Sequence, residues 1–294
     1  MDAADLRVFE AVARLGGMSR AAVELNTVQS NVTARMRRLE VELGMALFQR
    51  HSRGVTLTAA GRRLLPYAKR MGSLLADARR AALEDGRPRG QLTIGSLETT
   101  AALRLSPALS AYAAAYPEVD LVLTTGTTCE LIDAVLEHRL EGAFVCGPVD
   151  HPDLHEQVAF REELVVVSAT AVRDLDHLRA QERLKIVVLR AGCSYRQRLE
   201  SLLAARGIVG VRMLEFGTLD SILACVGAGI GITLLPRLVV EPAARGGRVA
   251  LHALPAAEAL VDTLFVRRHD AFVSSALTAF LATMRPLEQA AAAE

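Results

Sequence analysis

Apolar residues at Val28, Val32, Met36, Leu39 and Leu43 recur at three- and four-residue steps, which predicts one helix from about Val28 to Leu43 with a single buried stripe. An alanine-rich segment, Ser19 to Leu25, predicts a shorter helix before it, and Asn26 and Thr27 form a polar break between the two. The run FQRHSRGVTLT that follows is two short β-rich pieces around Ser52, Arg53 and Gly54, the pattern of a hairpin. Further on, Leu64, Ala68, Met71, Leu75, Ala78 and Ala82 make a heptad-like seam on a helical stretch closed by Gly86, Pro88 and Gly90. Pro66 fits a helix only near its first turn or at a kink, so continuity at that point stays open.

From Gln91 the texture changes to short apolar runs alternating with helical stretches, the mark of an α/β domain built on a parallel sheet. QLTIGSL, VDLVLTTG and EGAFVCG read as its first strands, and further strands are expected at Glu163 to Ser168, Lys185 to Leu189, Val211 to Phe216, Ile232 to Leu235 and Thr263 to Arg267. Helices are expected at Tyr195 to Arg206, Leu219 to Ala228 and Ala271 to Thr283. The division predicted is a small helical domain over 1–58, a long helix over 59–89 and an α/β domain over 90–294.

The polar side of the helix over 28–43 carries Gln29, Ser30, Asn31 and Thr33 early and Arg35, Arg37 and Arg38 later. Amides and hydroxyls at the start of such a helix can pair with base edges in a major groove, and guanidinium groups behind them suit phosphates. Arg50 and Arg53 on the hairpin are placed to reach phosphate or minor groove as a wing. For any one of these residues, a merely solvated face is the alternative; the whole arrangement argues for a DNA reader.

Charge sharpens this once the chain is divided. The net charge is +1, yet residues 1–90 hold 16 Arg and Lys against 9 Asp and Glu, which leaves 18 against 24 for the remainder. A basic N-terminal third attracts the phosphate backbone through counterion release, and the acidic remainder does not. No apolar run approaches the roughly 20 residues that span a bilayer, and the N-terminal segment lacks the apolar block of a signal peptide, so a cytoplasmic protein with no membrane partner is expected.

Residues 5–61, from DLRVFEAVARLGG to GVTLTAAG, resemble the N-terminal winged helix-turn-helix of the LysR-type transcriptional regulators without a gap. One departure is Val28, where many members carry a Ser that would cap the reading helix. The resemblance implies that the long helix dimerises with a second copy, giving a homodimer or a homotetramer on pseudo-palindromic promoter DNA. It also implies a C-terminal two-lobed domain like the type 2 periplasmic binding proteins, with lobe 1 near 90–162 and 267–294 and lobe 2 near 163–266. A small-molecule effector would sit between the lobes and alter contact with RNA polymerase. GSLETTAALRL and TTGTTCELIDAVLEHRLEGAFVCGP are similar to the subgroup that includes glutamate- and sarcosine-linked regulators.

Ligands of open α/β sheets bind at the carboxyl ends of strands, where loops enter helices. Three junctions carry suitable chemistry: Ser96, Glu98, Thr99 and Thr100 after the first strand; Thr125, Gly126, Thr127 and Thr128 after the second; and Cys193, Ser194, Tyr195 and Arg196 in the other lobe. Hydroxyls and amides there would hold a small carboxylate or amino-acid-like anion, with Arg196 adding a charge-assisted bond. Helix capping is the competing explanation for each Ser and Thr.

Other motifs carry less. Gly227, Gly229 and Gly231 do not have the GxGxxG spacing and read as a tight turn. His151 and His155 are interrupted by Pro152, and no third ligand is apparent, so no metal or other cofactor is expected. The four cysteines, Cys129, Cys146, Cys193 and Cys225, form no CxxC pair, though Cys193 near Arg196 is the best placed for a lowered thiol pKa. A thiol-based redox sensor, or a solute-binding protein without a regulatory role, are therefore the alternatives to an effector-controlled regulator. Neither GxSxG nor HExxH occurs, and no enzyme is expected.

Overall fold

The computed structural model describes residues 1–51, 54–174, 184–189 and 194–293, with the backbone alone at 50 and 285–293. Two compact units divide the chain, Met1–Asp85 and Gly86–Glu294.

In the first unit, α1 (Ala3–Leu15), α2 (Met18–Glu24) and α3 (Gln29–Leu43) precede a hairpin of β1 (Phe48–His51) and β2 (Gly54–Leu57), and α4 (Ala59–Leu83) completes it. Asp2 caps α1 and forms a reciprocal capping box with Asp5. Phe9, Val12, Ala21, Val32, Met36, Leu39 and Leu47 are buried, and the Phe9 and Phe48 rings lie 5.3 Å apart. The hairpin is pinned to the end of α1 because the Val55 amide donates to the Gly16 carbonyl at 3.2 Å. A Cβ on Gly54, whose φ is +135°, would stand 2.5 Å from that same carbonyl oxygen, so only glycine allows the approach.

The helix α4 is continuous through Pro66, and the reason is exposure: proline removes one bond to the carbonyl four residues back, and on a solvent-facing turn water can take that acceptor. The expected seam divides along its length. Leu64, Ala68 and Met71 pack on the core of the first unit, whereas Leu75, Ala78 and Ala82 are exposed beside Leu74 and Leu83.

The second unit is built on β3 (Gly90–Ser96), α5 (Glu98–Thr100), a π turn (Ala101–Leu105), α6 (Ser106–Ala115), β4 (Val119–Thr125), α7 (Thr128–Leu136) and β5 (Gly142–Cys146). Then come β6 (Leu154–Ser168), β7 (Lys185–Leu189), α8 (Ser194–Ala205), β8 (Arg212–Phe216), α9 (Leu219–Gly227), β9 (Thr233–Pro236) and α10 (Arg237–Arg245). The last elements are β10 (Ala250–His252), α11 (Ala256–Ala259), β11 (Leu260–Arg268) and α12 (Ser275–Ala293). The main sheet runs β10-β6-β11-β5-β3-β4, with β9 also paired to β6, and β7 and β8 make a separate parallel pair.

One long strand, β6, pairs in both lobes. Residues 154–163 of β6 pair with β11 and, through it, with the parallel β5, β3 and β4. Residues 164–168 of β6 pair instead with β9 and β10 beside α10. The sheet is thus mixed, and β6 starts nine residues before the expected Glu163, because residues 155–158 are exposed in a row without alternation and are ordered by pairing with β11, far along the chain. Helix α12 starts at Ser275 and not at Ala271, where the Ser274 hydroxyl accepts the Leu277 amide at 3.1 Å. The glycine-rich segment after α9 is a turn, with Gly229 at φ +78°.

Candidate DNA-reading face and interlobe cleft

Helix α3 buries Val32, Met36 and Leu39 at 0 to 1% exposure and turns the opposite side to solvent. Gln29, Ser30, Asn31 and Arg37 are exposed, and Thr33 is half-buried. Val28 is the N-cap and accepts no capping bond through its side chain. The helix start is ordered by its neighbours instead: Ser19 of α2 donates to Gln29 Oε1 at 2.9 Å, and Asn31 Nδ2 donates to Thr27 Oγ1 at 3.1 Å. Gln29 retains its amide donor for another partner, and Ser30 and Thr33 make no side-chain bond among the described residues.

The three arginines of α3 separate into two kinds. Arg35 Nη1 and Arg38 Nη2 both donate to Oδ1 of Asp5, at 3.0 and 2.8 Å. Burial disfavours the Asp5 carboxylate, but these guanidiniums and the Asp2 amide outweigh it and hold its pKa below the usual range. Arg37 has no acidic partner among the described residues. Sequence reasoning missed Asp5, and the one local signal for it is the pair of acids at 2 and 5 that frames the start of α1. On the hairpin, Arg50 lies in β1 opposite Val55, while Arg53 lies outside the described residues.

In the second unit, a small cleft of about 50 Å³ is lined on one side by Leu97, Glu98, Thr99, Thr125, Gly126, Thr127 and Glu130, and on the other by Leu189, Tyr195 and Gly217. Five residues named from the first lobe's junctions, and Tyr195 from the second, thus converge. Thr127 caps α7 in a capping box with Glu130, whose Oε2 accepts the Thr127 amide at 2.9 Å. Ser96 and Thr100 are buried behind this surface and do not line it, and the Ser96 hydroxyl is turned back to the Leu97 carbonyl at 3.0 Å. The lobes also touch directly, since Ser194 Oγ donates to Thr128 Oγ1 at 3.0 Å and Thr128 Oγ1 accepts the Cys146 amide at 3.3 Å.

Arg196 does not enter the cleft. Its guanidinium is held by Glu215 at 2.9 Å and by Glu200 at 3.4 Å, so its charge is already compensated. Arg198, two positions further on, lines a neighbouring groove and was missed because the residues around 193–196 drew attention to the helix start. Cys193 lies outside the described residues. Among the described residues, no group of three His, Cys, Asp or Glu is placed to hold a metal ion, and no helix is long and apolar enough to cross a membrane.

Residues 3–62 match the family described as "Bacterial regulatory helix-turn-helix protein, lysR family", and residues 85–288 match "LysR substrate binding domain". The chain is 46% identical to the Bacillus subtilis protein named "Uncharacterized HTH-type transcriptional regulator YusT", over 99% of this chain and 97% of that one. It is 42% identical to the transcriptional regulator GltR of the same organism, over 95% of each chain. Among solved structures, CbnR, described as a LysR family transcriptional regulator, aligns with a TM-score of 0.65 at 23% identity over 98% of this chain and 99% of its own; CbnR has also been solved with its target DNA.

Proposed function

The chain belongs to the LysR family of transcriptional regulators, DNA-binding proteins with an effector-binding domain, and from that premise we propose how its residues divide the work. Gln29, Ser30, Asn31 and Thr33 read base edges in the major groove; Arg37, Arg50 and Arg53 neutralise phosphates. The carrying observation is the exposed polar start of α3 set against Val32, Met36 and Leu39 buried on its other side. Arg35 and Arg38 serve first as the clamp that fixes α3 against α1, because each shares the Asp5 carboxylate.

The effector enters the cleft between Glu98, Thr99 and Thr127 on one side and Tyr195 on the other. At about 50 Å³ the cleft has room for only a few waters, so a ligand of amino-acid size requires the lobes to separate. That makes ligand binding a shift in lobe angle, which alters how two reading heads of an oligomer lie on promoter DNA and how the assembly meets RNA polymerase. With Glu98 and Glu130 in the lining and no cation among the described residues there, the cleft favours the donor-rich end of a small amino acid. The protein acts in the cytoplasm and is not an enzyme.

Selection of duplexes from a random pool by the full-length protein tests the reading. One enriched sequence, with discrimination lost in Gln29→Ala and Ser30→Ala by about 1–3 kcal/mol per contacted base pair, is expected. Failure to enrich any sequence at low salt overturns it. Thermal-shift screening against amino acids, with Thr99→Val and Tyr195→Phe as comparison proteins, tests the cleft.

A further inference from the structure

Beside the cleft lies a larger groove of about 690 Å³. The two are neighbours in the chain as well: Thr127 and Tyr195 line the cleft, and Thr128 and Ser194 line the groove. Their chemistry differs, because the described lining of the cleft has carboxylates and no cation, whereas the groove contains Arg198.

The arginines of this region set Arg198 apart. Arg196 is paired with Glu215 and Glu200, and Arg206 with Glu258 at 2.7 Å. Arg198 is half-buried, and its one bond among the described residues is from Nη2 to the Gly147 carbonyl at 2.9 Å. A guanidinium has five donors and cannot shed its charge, so a single neutral acceptor leaves that charge uncompensated and the other donors open to water or to a ligand in the groove. The acids on the groove do not supply the missing partner, since Glu258 is committed to Arg206 and Asp150 is exposed without a bond to Arg198. Ile132 of α7 and Val149 also line the groove, and Leu202 lies one turn along α8 from Arg198 on the same face.

We propose that this groove is a second ligand site, separate from the cleft, which takes a small carboxylate with an apolar body. The carboxylate meets the Arg198 fork, where two parallel N–H donors match its two oxygens, and the hydroxyl of Ser194 or the amide of Gln197 borders the same space. The hydrocarbon part lies against Ile132, Val149 and Leu202. The volume is within the roughly 300–1,000 Å³ of small-molecule pockets. Because α7 and α8 form facing walls in different lobes, an occupant bears on the lobe angle directly.

Cys129 provides the readout, since it is exposed and borders the groove. The full-length protein is treated with a maleimide in the presence of hexanoate, benzoate or glutarate at millimolar concentration, and modification of Cys129 is followed by peptide mass spectrometry. At least one carboxylate is expected to slow it saturably, and the matched neutral amide, hexanamide or benzamide, is expected not to. Arg198→Gln should weaken the protection roughly 10- to 100-fold, the worth of a charge-assisted pair. Ser201→Glu keeps Arg198 but sets a competing carboxylate one turn away on the same helix face, and should abolish protection in a protein that retains its fold. The proposal is overturned if no carboxylate protects Cys129, if the amides protect equally, or if protection persists in Ser201→Glu.

Discussion

Replacing Asp5 by Asn is expected to destabilise the N-terminal unit and, at the same time, to change how it meets DNA. Asp5 Oδ1 accepts from Arg35 at 3.0 Å and Arg38 at 2.8 Å, and Oδ2 accepts the Asp2 amide at 3.2 Å. Its side chain is 3% exposed, but those of Arg35 and Arg38 are 40% and 61% exposed. Solvent therefore screens both pairs, and the bonds of the buried Asp5 carboxylate together contribute about 1–2 kcal/mol. The lost half of the capping box adds about 0.5 kcal/mol, for a total near 1.5–2.5 kcal/mol. The pH dependence has a definite sign. The folded-state pKa of Asp5 lies below its ordinary 3.8, so its contribution is complete well above that value and is lost as pH falls through the folded pKa. The Asn penalty should accordingly be full at neutral pH and vanish in acid. Hydrogen exchange of α1 and α3 amides in the full-length protein measures it as faster exchange by roughly 10- to 70-fold at neutral pH. Asn also frees two guanidiniums, and duplex affinity should fall more steeply with salt, by about 0.9 in logarithmic slope for each new phosphate contact. An equal penalty at neutral pH and at pH near 3, or an unchanged exchange rate, refutes the clamp.

Arg37→Gln should lower duplex affinity for all sequences alike and flatten the salt dependence by about 0.9 in slope while leaving thermal stability unchanged, as filter binding across a salt series will show. Glu40→Ala should destabilise the start of the hairpin by about 1–3 kcal/mol, since it orphans the amides of Leu47 and Phe48 that now donate to Glu40 Oε1 at 2.8 and 3.2 Å; urea unfolding followed by circular dichroism measures it. Ser194→Ala removes the hydroxyl bridge to Thr128 and should favour the open arrangement of the lobes by about 0.5–1.5 kcal/mol, seen as faster amide exchange at the start of α8.

What could be read from the sequence was whatever repeats locally. The middle of the α3 stripe at Val32, Met36 and Leu39, the first half of the α4 seam and the strand at Lys185–Leu189 follow from spacing, because each announces its buried face, whereas the stripe's ends at Val28 and Leu43 and the seam from Leu75 onward are exposed. The first half of β6 gave no such signal: residues 155–158 are exposed, and only pairing with β11 about a hundred residues later makes them a strand. The cleft residues were legible as junction chemistry, since Thr99, Thr125 and Thr127 end strands or begin helices. Side-chain pairing was not. Nothing near Arg196 in the sequence marks Glu215 as its partner, and nothing near Arg198 marks the Gly147 carbonyl as its acceptor.

The same limit governs the charge argument. An ion pair leaves net charge unchanged, so the excess of basic residues in the first 90 positions predicts attraction to DNA whether or not its arginines are paired. It does not say which of them reach phosphate. Arg14 is held by Glu10 and Glu24, and Arg35 and Arg38 by Asp5. Arg14–Glu10 lies within α1, whereas Arg14–Glu24 joins α1 to α2 and the Asp5 pairs join α1 to α3, so these pairs between helices fix the angles on which base reading depends. Acids in this unit therefore do not simply oppose binding: Asp5 withdraws two guanidiniums from the phosphate backbone and in return sets α3 against α1. A variant that adds net positive charge by removing Asp5 should bind DNA more tightly without regard to sequence, and discriminate less among sequences.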